Sequence, residues 1–425
     1  MTHFDLSSPL VGGEPKRIVV IGGGAVGALS AFELQRAGHQ VTLLEARGWG
    51  NGSSSRSAAC IRAQFDNPST VRGMVYCEQY YKQWTDIVGG NRSPMTSNGY
   101  LFLKGVTTDM EAVRRTVEMQ RRAGLAEVEF MNHGELGERF PYLEITGIQG
   151  ATWCPTDGFL DPAMVYGDAA EMAQKIGATT VQNAEVVGVV FDLSGRPIAV
   201  KTADGREFEG DIFVNACGVW APKISHMFEG YPLDIKARRR YLYFLEGFNG
   251  HPGNYMGYEE FGKMPMTITP QGCYGRPESA KGNQLMMGWL QPARPIRPKF
   301  ENQDEIEEGF TRLGDYGPSL MKEMGTYLPD VEAMGRIQTV TSGFYEDSPD
   351  HNPFIGWDPW TPNLIHAAGF SGHGLMHAPF TAAIVVNLVR TGMNLSTVEL
   401  PCVGSVDVGT FAVDRVCHGG EGMVI

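Results

Sequence analysis

The stretch RIVVIGGGAVG, Arg17 to Gly27, decides the fold. An apolar run of strand character breaks into glycines at 22, 24 and 27, and a helical period follows. Gly22 permits a sharp turn, Gly24 lets a backbone approach a pyrophosphate, and Gly27 lets the helix close on the strand. The helix expected over Ala25–Ala37 carries apolar residues at 26, 29 and 32–34 and stops at Gly38. Its free N–H groups and dipole favour a phosphate. A second strand, HQVTLLEAR, places Glu45 and Ala46 at its end, 23 residues past Gly22, where a carboxylate can take ribose hydroxyls. A glycine turn alone needs neither the helix nor the acid. Together they spell a dinucleotide-binding βαβ unit, and the acid would repel a 2′-phosphate.

Strand, small-residue turn and helix recur in GDIFVNACGVWAPKI, residues 210–224, and in TPNLIHAAGFSGHGLMHAPFTAAIVVNLVRTG, residues 361–392. DGFLDPAMVYGDAAEMAQKIGA reads as a turn and then a helix, capped by Asp161 with Pro162 at its first position. Helical pattern also covers 69–88, 107–123 and 302–324, and NGYLFLKG reads as a strand. Residues 236–300 alternate aromatics with prolines and glycines, the signature of antiparallel sheet. The expected fold is therefore α/β plus α+β. A Rossmann-like domain is assembled from discontinuous segments 15–91, 152–230 and 334–396. An antiparallel-sheet substrate domain, 92–151 and 231–333, is inserted in it, and 397–425 forms a C-terminal tail.

Bulk properties narrow the function classes. The chain has 425 residues, 42% apolar and 20% charged, an ordinary globular balance long enough for two domains. A net charge of -13 disfavours nucleic acid and anionic membranes as partners. The basic run Arg238-Arg239-Arg240 reads as a strand edge or domain junction. Seven cysteines without a CxxC pair argue against a disulfide framework or a metal site and fit a reducing compartment. The first sixteen residues lack an apolar signal core, and no apolar run reaches membrane-spanning length, so a cytoplasmic protein is expected.

GNGSSSRSAACIRAQF, NACGVWA, DGFLDP, SPDHNPFIG and above all AAGFSGHGLMHAP resemble the D-amino-acid-oxidase-like family of FAD enzymes, in the branch of sarcosine oxidase beta-subunit, glycine oxidase and dimethylglycine dehydrogenase. The resemblance spans roughly residues 17 to 390 and implies FAD as cofactor. It places adenosine against Glu45 and the backbone of Val186, and the pyrophosphate over Gly22, Gly24, Ala25, Val26 and Gly27. Ser54, Arg56 and Ser57 would lie beside pyrophosphate and flavin, with Gly218 and Trp220 along the dinucleotide path. Gly372, His373, Gly374 and Leu375 would meet the ring with a second helix N-terminus, whose dipole suits a reduced flavin.

Arg62 is the candidate for a substrate carboxylate, because a guanidinium matches it with two prongs; a surface or inter-domain arginine is the other reading. Tyr345 occupies a family position near flavin and substrate and reads equally as a core tyrosine. His373 reads as a site residue or a helix-capping histidine, His377 as packing, and Asp350 with His351 as a turn. Departures from the family pattern are informative. Gly343 stands where some sarcosine oxidases attach flavin through cysteine, so FAD is expected to bind noncovalently. Met286 and Met376 stand near two family lysines, one for oxygen and one for carboxylate. Methionines 264, 266, 286, 287 and 376 offer an apolar, deformable pocket, or plain core packing.

The expected reaction is oxidation of a secondary amine or amino acid, with hydride passing to flavin N5, hydrolysis of the imine, and O2 reduced to H2O2. The partners expected are thus a small amine and an electron acceptor. Rival readings are a dehydrogenase feeding a quinone or carrier protein, a low-turnover FAD subunit of a complex, and an NAD-dependent dehydrogenase. Oligomeric state stays open.

Overall fold

A computed structural model describes residues 5–246, 261–278, 284–290, 300–301, 316–331 and 336–417. The opening stretch forms β1, Arg17–Ile21, followed by helix α1, Ala25–Arg36, and β2, Gln40–Leu44. β1 is central in a six-stranded sheet with the order Phe354–Trp357, Leu364–Ala368, Ile212–Asn215, β1, β2, Thr179–Val181. All neighbours are parallel except Phe354–Trp357, which runs antiparallel at its edge. Ile18 to Ile21 are buried on both faces, which is why their run is continuously apolar and not alternating.

One face of this sheet carries α1, Pro68–Lys82, Pro162–Lys175 and Gly374–Thr391 around the largest core. The helix Gly374–Thr391 is apolar nearly all round because it lies inside this layer. Asp161 accepts from the Met164 N–H at 3.4 Å and caps its helix as the sequence indicates. The other face holds the short helix Ala221–Met227 and an antiparallel meander from Val186 to Glu209.

A second, nine-stranded sheet collects strands from both halves of the chain. Lys236–Glu246 is its long spine, paired along its length with Arg336–Asp347 on one side and with Gln284–Trp289 on the other. Cys273–Pro277 and Met266–Ile268 continue it to Tyr100–Gly105, Ile148–Cys154 and Glu129–Asn132. The pairing is antiparallel except between Met266–Ile268 and Tyr100–Gly105.

Four expectations need amendment. The boundary at 152 falls inside the strand Ile148–Cys154, and Arg336–Asp347, assigned to the cofactor segments, is a strand of the antiparallel sheet. The 69–88 helix breaks at Gln83 into Pro68–Lys82 and Trp84–Ile87. Residues 397–417 pack instead of trailing: a hairpin, Thr397–Leu400 with Gly404–Asp407, seats Val398, Leu400, Val406 and Phe411 in the main core. Arg238 to Arg240 lie within a paired strand, not at a free edge. Of the helix expected over 302–324, Tyr316–Gly325 is observed; residues 302–315 lie outside the described ones. Among the described residues no helix is long and apolar enough to cross a membrane.

Candidate active site

The glycine turn shapes one end of a long cavity. Gly22 takes φ +105°, open to glycine, and its N–H donates to the Leu44 carbonyl at 2.8 Å. A Cβ on Gly27 would overlap the Gly22 carbonyl oxygen, so the third glycine is what lets α1 lie against β1. Glu45 accepts from the N–H groups of Gly23 at 2.7 Å and Arg47 at 3.0 Å, which fixes its carboxylate at the strand end. α1 begins with Gly24 and no side chain of its own as cap; Ser54 Oγ accepts from the Ala25 N–H at 3.1 Å.

The cavity encloses about 1740 Å³, its open mouth included. Gly22, Gly24, Ala25, Val26, Glu45, Ala46, Ser54, Arg56, Ser57, Val186, Gly218, Trp220, Gly343, Gly372, Gly374 and Leu375 all line it. Gly27 does not; it packs behind the turn. The far end is the turn Gly369–His373, where Gly374 starts a second helix that also lacks a side-chain cap. Two helix N-termini and a strand-end carboxylate thus face one elongated space. That donor set is one that could hold a dinucleotide such as FAD: a carboxylate for ribose hydroxyls at Glu45, and helix N-termini at Ala25 and Gly374 for a pyrophosphate and a ring that gains negative charge.

A small chamber adjoins the far end and shares Ser57, Ala58, Tyr274, Tyr345, Gly372 and Leu375 with the main cavity. Its other walls are Cys60, Arg62, Tyr100, Met266, His373 and Met376. Arg62 is wholly buried. Its guanidinium lies 4.0 Å from the Phe65 ring centroid, donates to the Gln64 carbonyl, and stands 3.4 Å from His373 Nε2. Asp157 fixes this segment: its two oxygens accept from the Ala63 N–H and from Gln64 Nε2, both at 2.9 Å. Gln64 Nε2 also reaches the Tyr100 carbonyl at 3.0 Å.

Burial, and then the Arg62 charge, hold His373 well below the ordinary histidine range. Its ring is neutral at neutral pH. Arginine can only donate, so Nε2 is the acceptor and Nδ1 carries the proton. His377 is pushed down to about 4 by burial; its Nδ1 stands 3.0 Å from the His373 carbonyl and its ring is 5.9 Å from that of Phe65. It packs, as the sequence indicates. Tyr345 covers Gly372 so closely that a Cβ there would overlap its ring, and Arg240 lies 5.0 Å from the ring centroid.

Met286 is not brought to the site. It is wholly buried among Leu242, Met266 and Tyr274, on the same face of the sheet as these residues, and it lines neither cavity. Met264 and Met287 belong to the core of the second sheet, whereas Met266 and Met376 do face the chamber. Asp350 accepts from the Asn352 N–H at 3.1 Å and His351 takes φ +58°, which makes the pair a turn.

Sequence reasoning missed three polar groups. Glu346 and Arg240 line the main cavity. Arg276 donates twice to the Ala58 carbonyl, at 3.0 and 2.9 Å, holding the loop that walls both cavities. Arg240 precedes the alternating YLYFLE, and Arg276 and Glu346 lie in CYGRP and SGFYED; only the strand pairing shows which face meets a cavity.

A family model described as "FAD dependent oxidoreductase" matches residues 17–388. FAD-dependent oxidoreductase domain-containing protein 1 of Xenopus laevis is 26% identical over 89% of this chain and 81% of its own length. Monomeric sarcosine oxidase of Bacillus sp. (strain B-0618) is 22% identical over 92% of this chain and 93% of its own. Among solved structures, L-proline dehydrogenase from P. horikoshii superposes with a TM-score of 0.79 and 26% identity, covering 95% of this chain and 98% of that one. Glycine oxidase from Geobacillus kaustophilus has the same fold, with a TM-score of 0.75 at 22% identity over 95% and 100%.

Proposed function

The chain belongs to the FAD dependent oxidoreductase family, and from that premise we propose that it oxidises a small amine or amino acid at its carbon–nitrogen bond. The observation that carries this reading is Arg62, a wholly buried cation on the wall of a chamber that opens onto the ring end of the FAD cavity. A guanidinium held there selects a carboxylate and fixes the substrate beside the ring. FAD, when bound, supplies the two-electron acceptor for the substrate C–H hydride. The residues Arg62, Tyr345 and His373 contribute position, and the rings of Tyr100, Tyr274 and Tyr345 exclude water. Among the described residues no wall residue is a carboxylate, and His373 is neutral; in this reading the substrate enters as the free amine, whose lone pair expels the hydride. Water then hydrolyses the imine product.

Arg62 is one cation among apolar and aromatic walls, with Met376 where the family resemblance expects a lysine. That composition favours a single carboxylate on an apolar secondary amine. L-Proline dehydrogenase and sarcosine oxidase bear names of that chemistry. FAD is held noncovalently in this reading: a Cβ at Gly343 would come within 2.9 Å of the Arg56 Cβ and carbonyl oxygen, leaving no room for a thioether. Acid precipitation should leave all the flavin in the supernatant.

O2 is the proposed acceptor, with H2O2 as product. A second reading, a dehydrogenase that passes electrons to a quinone or carrier protein, is favoured by Met286, which stands near the position of the family's oxygen-activating lysine, and by the likeness to L-proline dehydrogenase. The test is flavin absorbance under argon with a panel of secondary amines and of D- and L-amino acids, followed by air. Bleaching by carboxylate-bearing amines is expected. Fast recolouring with peroxide assigns oxygen, and slow recolouring assigns another acceptor. No bleaching by any such amine would overturn the reading.

A further inference from the structure

Three separate elements converge on Glu346. It is the penultimate residue of the strand Arg336–Asp347, and its Oε2 accepts from the Gly369 N–H, just past the strand Leu364–Ala368, at 3.0 Å. The same oxygen is 3.5 Å from where a Cβ on Gly218 would sit, in the loop after Ile212–Asn215. The carboxyl lines the main cavity between the α1 N-terminus and the Gly372 turn. FAD is itself ordered as adenosine, pyrophosphate, a hydroxylated chain and the ring. With the pyrophosphate at Gly22–Ala25 and the ring at Gly372–Leu375, the stretch beside Glu346 is the hydroxylated chain.

We propose that Glu346 is a ligand of the FAD hydroxyl chain and that it holds a proton in the holoenzyme. The surroundings suit a neutral acid. From its own strand comes Asp347, already paired with Arg238 at 2.7 Å. From the loop opposite comes Cys217, whose thiol burial pushes up and keeps neutral. The turn after Leu364–Ala368 offers only the N–H groups of Gly369 and Phe370. From the facing strand, opposite Glu346 and Phe344, come Ala237 and Arg239, and the Arg239 guanidinium stands over the Phe344 ring, 4.4 Å from its centroid. Burial pushes it up to about 7, the two N–H groups oppose this, and Asp347 adds to it. A neutral carboxyl both donates to and accepts from a hydroxyl, and it spares the pyrophosphate a neighbouring negative charge. FAD buries the group further, so binding takes up a proton wherever the free protein has lost it.

The experiment is the FAD dissociation constant of the holoenzyme, from flavin fluorescence released on dilution, between about pH 6.5 and about 8.5. The wild type should bind on the order of tenfold more weakly per pH unit above about 7. Glu346→Gln keeps the shape and the acceptor for Gly369 but cannot titrate, and its dissociation constant should be flat. A flat wild-type profile overturns the proposal, as does an undiminished slope in Glu346→Gln, which would assign the titration elsewhere. If the variant does not fold, the wild-type profile and the infrared carbonyl band of a protonated carboxyl in the holoenzyme decide; absence of either is fatal. Because the readout is cofactor release, it stands apart from the assignment of an amine substrate.

Discussion

Arg62 shows what a single residue does when its neighbours leave it no choice. Phe65 covers its guanidinium, and Asp157 holds the neighbouring Ala63 N–H and the Gln64 side-chain amide. A flexible ammonium cannot reproduce a two-pronged contact from that place. Arg62→Lys should therefore weaken binding of a carboxylate substrate by about 2 kcal/mol, roughly thirtyfold in KM, with little change in kcat. Unchanged KM would remove Arg62 from the carboxylate. His377 makes a different point, about pH. Folded His377 resists protonation down to about 4, whereas an unfolded histidine charges near 6.5. Acid therefore favours the unfolded chain: the stability is complete above about 6.5 and declines as pH falls toward 4. Between about pH 6.5 and about pH 5 the wild type should lose about 2 kcal/mol that His377→Gln does not lose. Urea melts of both proteins at the two pH values check this, and parallel losses would refute it.

At the scale of elements, the glycine turn is where sequence and structure agree most closely. Its geometry is local: the strand, the turn and the helix are contiguous, and each glycine answers to an atom within a few residues or one strand away. Gly27→Ala should thus force α1 off β1, cost about 3 kcal/mol or more, and lose FAD. Loss of the flavin spectrum together with a lower melting temperature is the expected result; a yellow, equally stable variant would contradict it. The same locality explains what could not be read. Arg336–Asp347 lies next in sequence to Phe354–Trp357, a strand of the parallel sheet, yet pairs with Lys236–Glu246 some hundred residues away. Nothing in its own residues announces that partner. Arg276, Arg240 and Glu346 were hidden for the same reason, since their importance comes from which cavity their strand face meets. Met286 was misplaced by the reverse error: a family position was carried over, and the strand does turn Met286 to the face of Leu242 and Tyr274, but its neighbours cover it from both cavities.

The whole molecule joins its last described residues to the candidate site. Arg415 grips Asp350 with two hydrogen bonds, at 2.7 and 2.8 Å, and donates to the carbonyls of Asn352 and Pro353 at 2.7 and 3.0 Å. Both partners of the ion pair are only 7% exposed. Burial alone would raise Asp350; the guanidinium holds it below the usual carboxylate range. The turn so gripped continues the strand that carries Tyr345 and Glu346. The Ser348 hydroxyl donates to the Asn352 carbonyl at 2.7 Å, and the Ser348 N–H donates at 3.2 Å to Ser371 Oγ, beside Gly372 and His373. A segment that reads as a tail is thus a strut behind the Gly372 end of the cavity. Removing one partner strands a buried charge, which is worse than removing both. Arg415→Met should destabilise the protein by about 3 kcal/mol and loosen FAD, whereas Asp350→Asn in the same chain should restore most of the loss. Denaturant melts across the double-mutant cycle, with flavin fluorescence as a second signal, measure both effects. Additive losses would mean that the two residues act separately and that the C-terminal segment does not support the site.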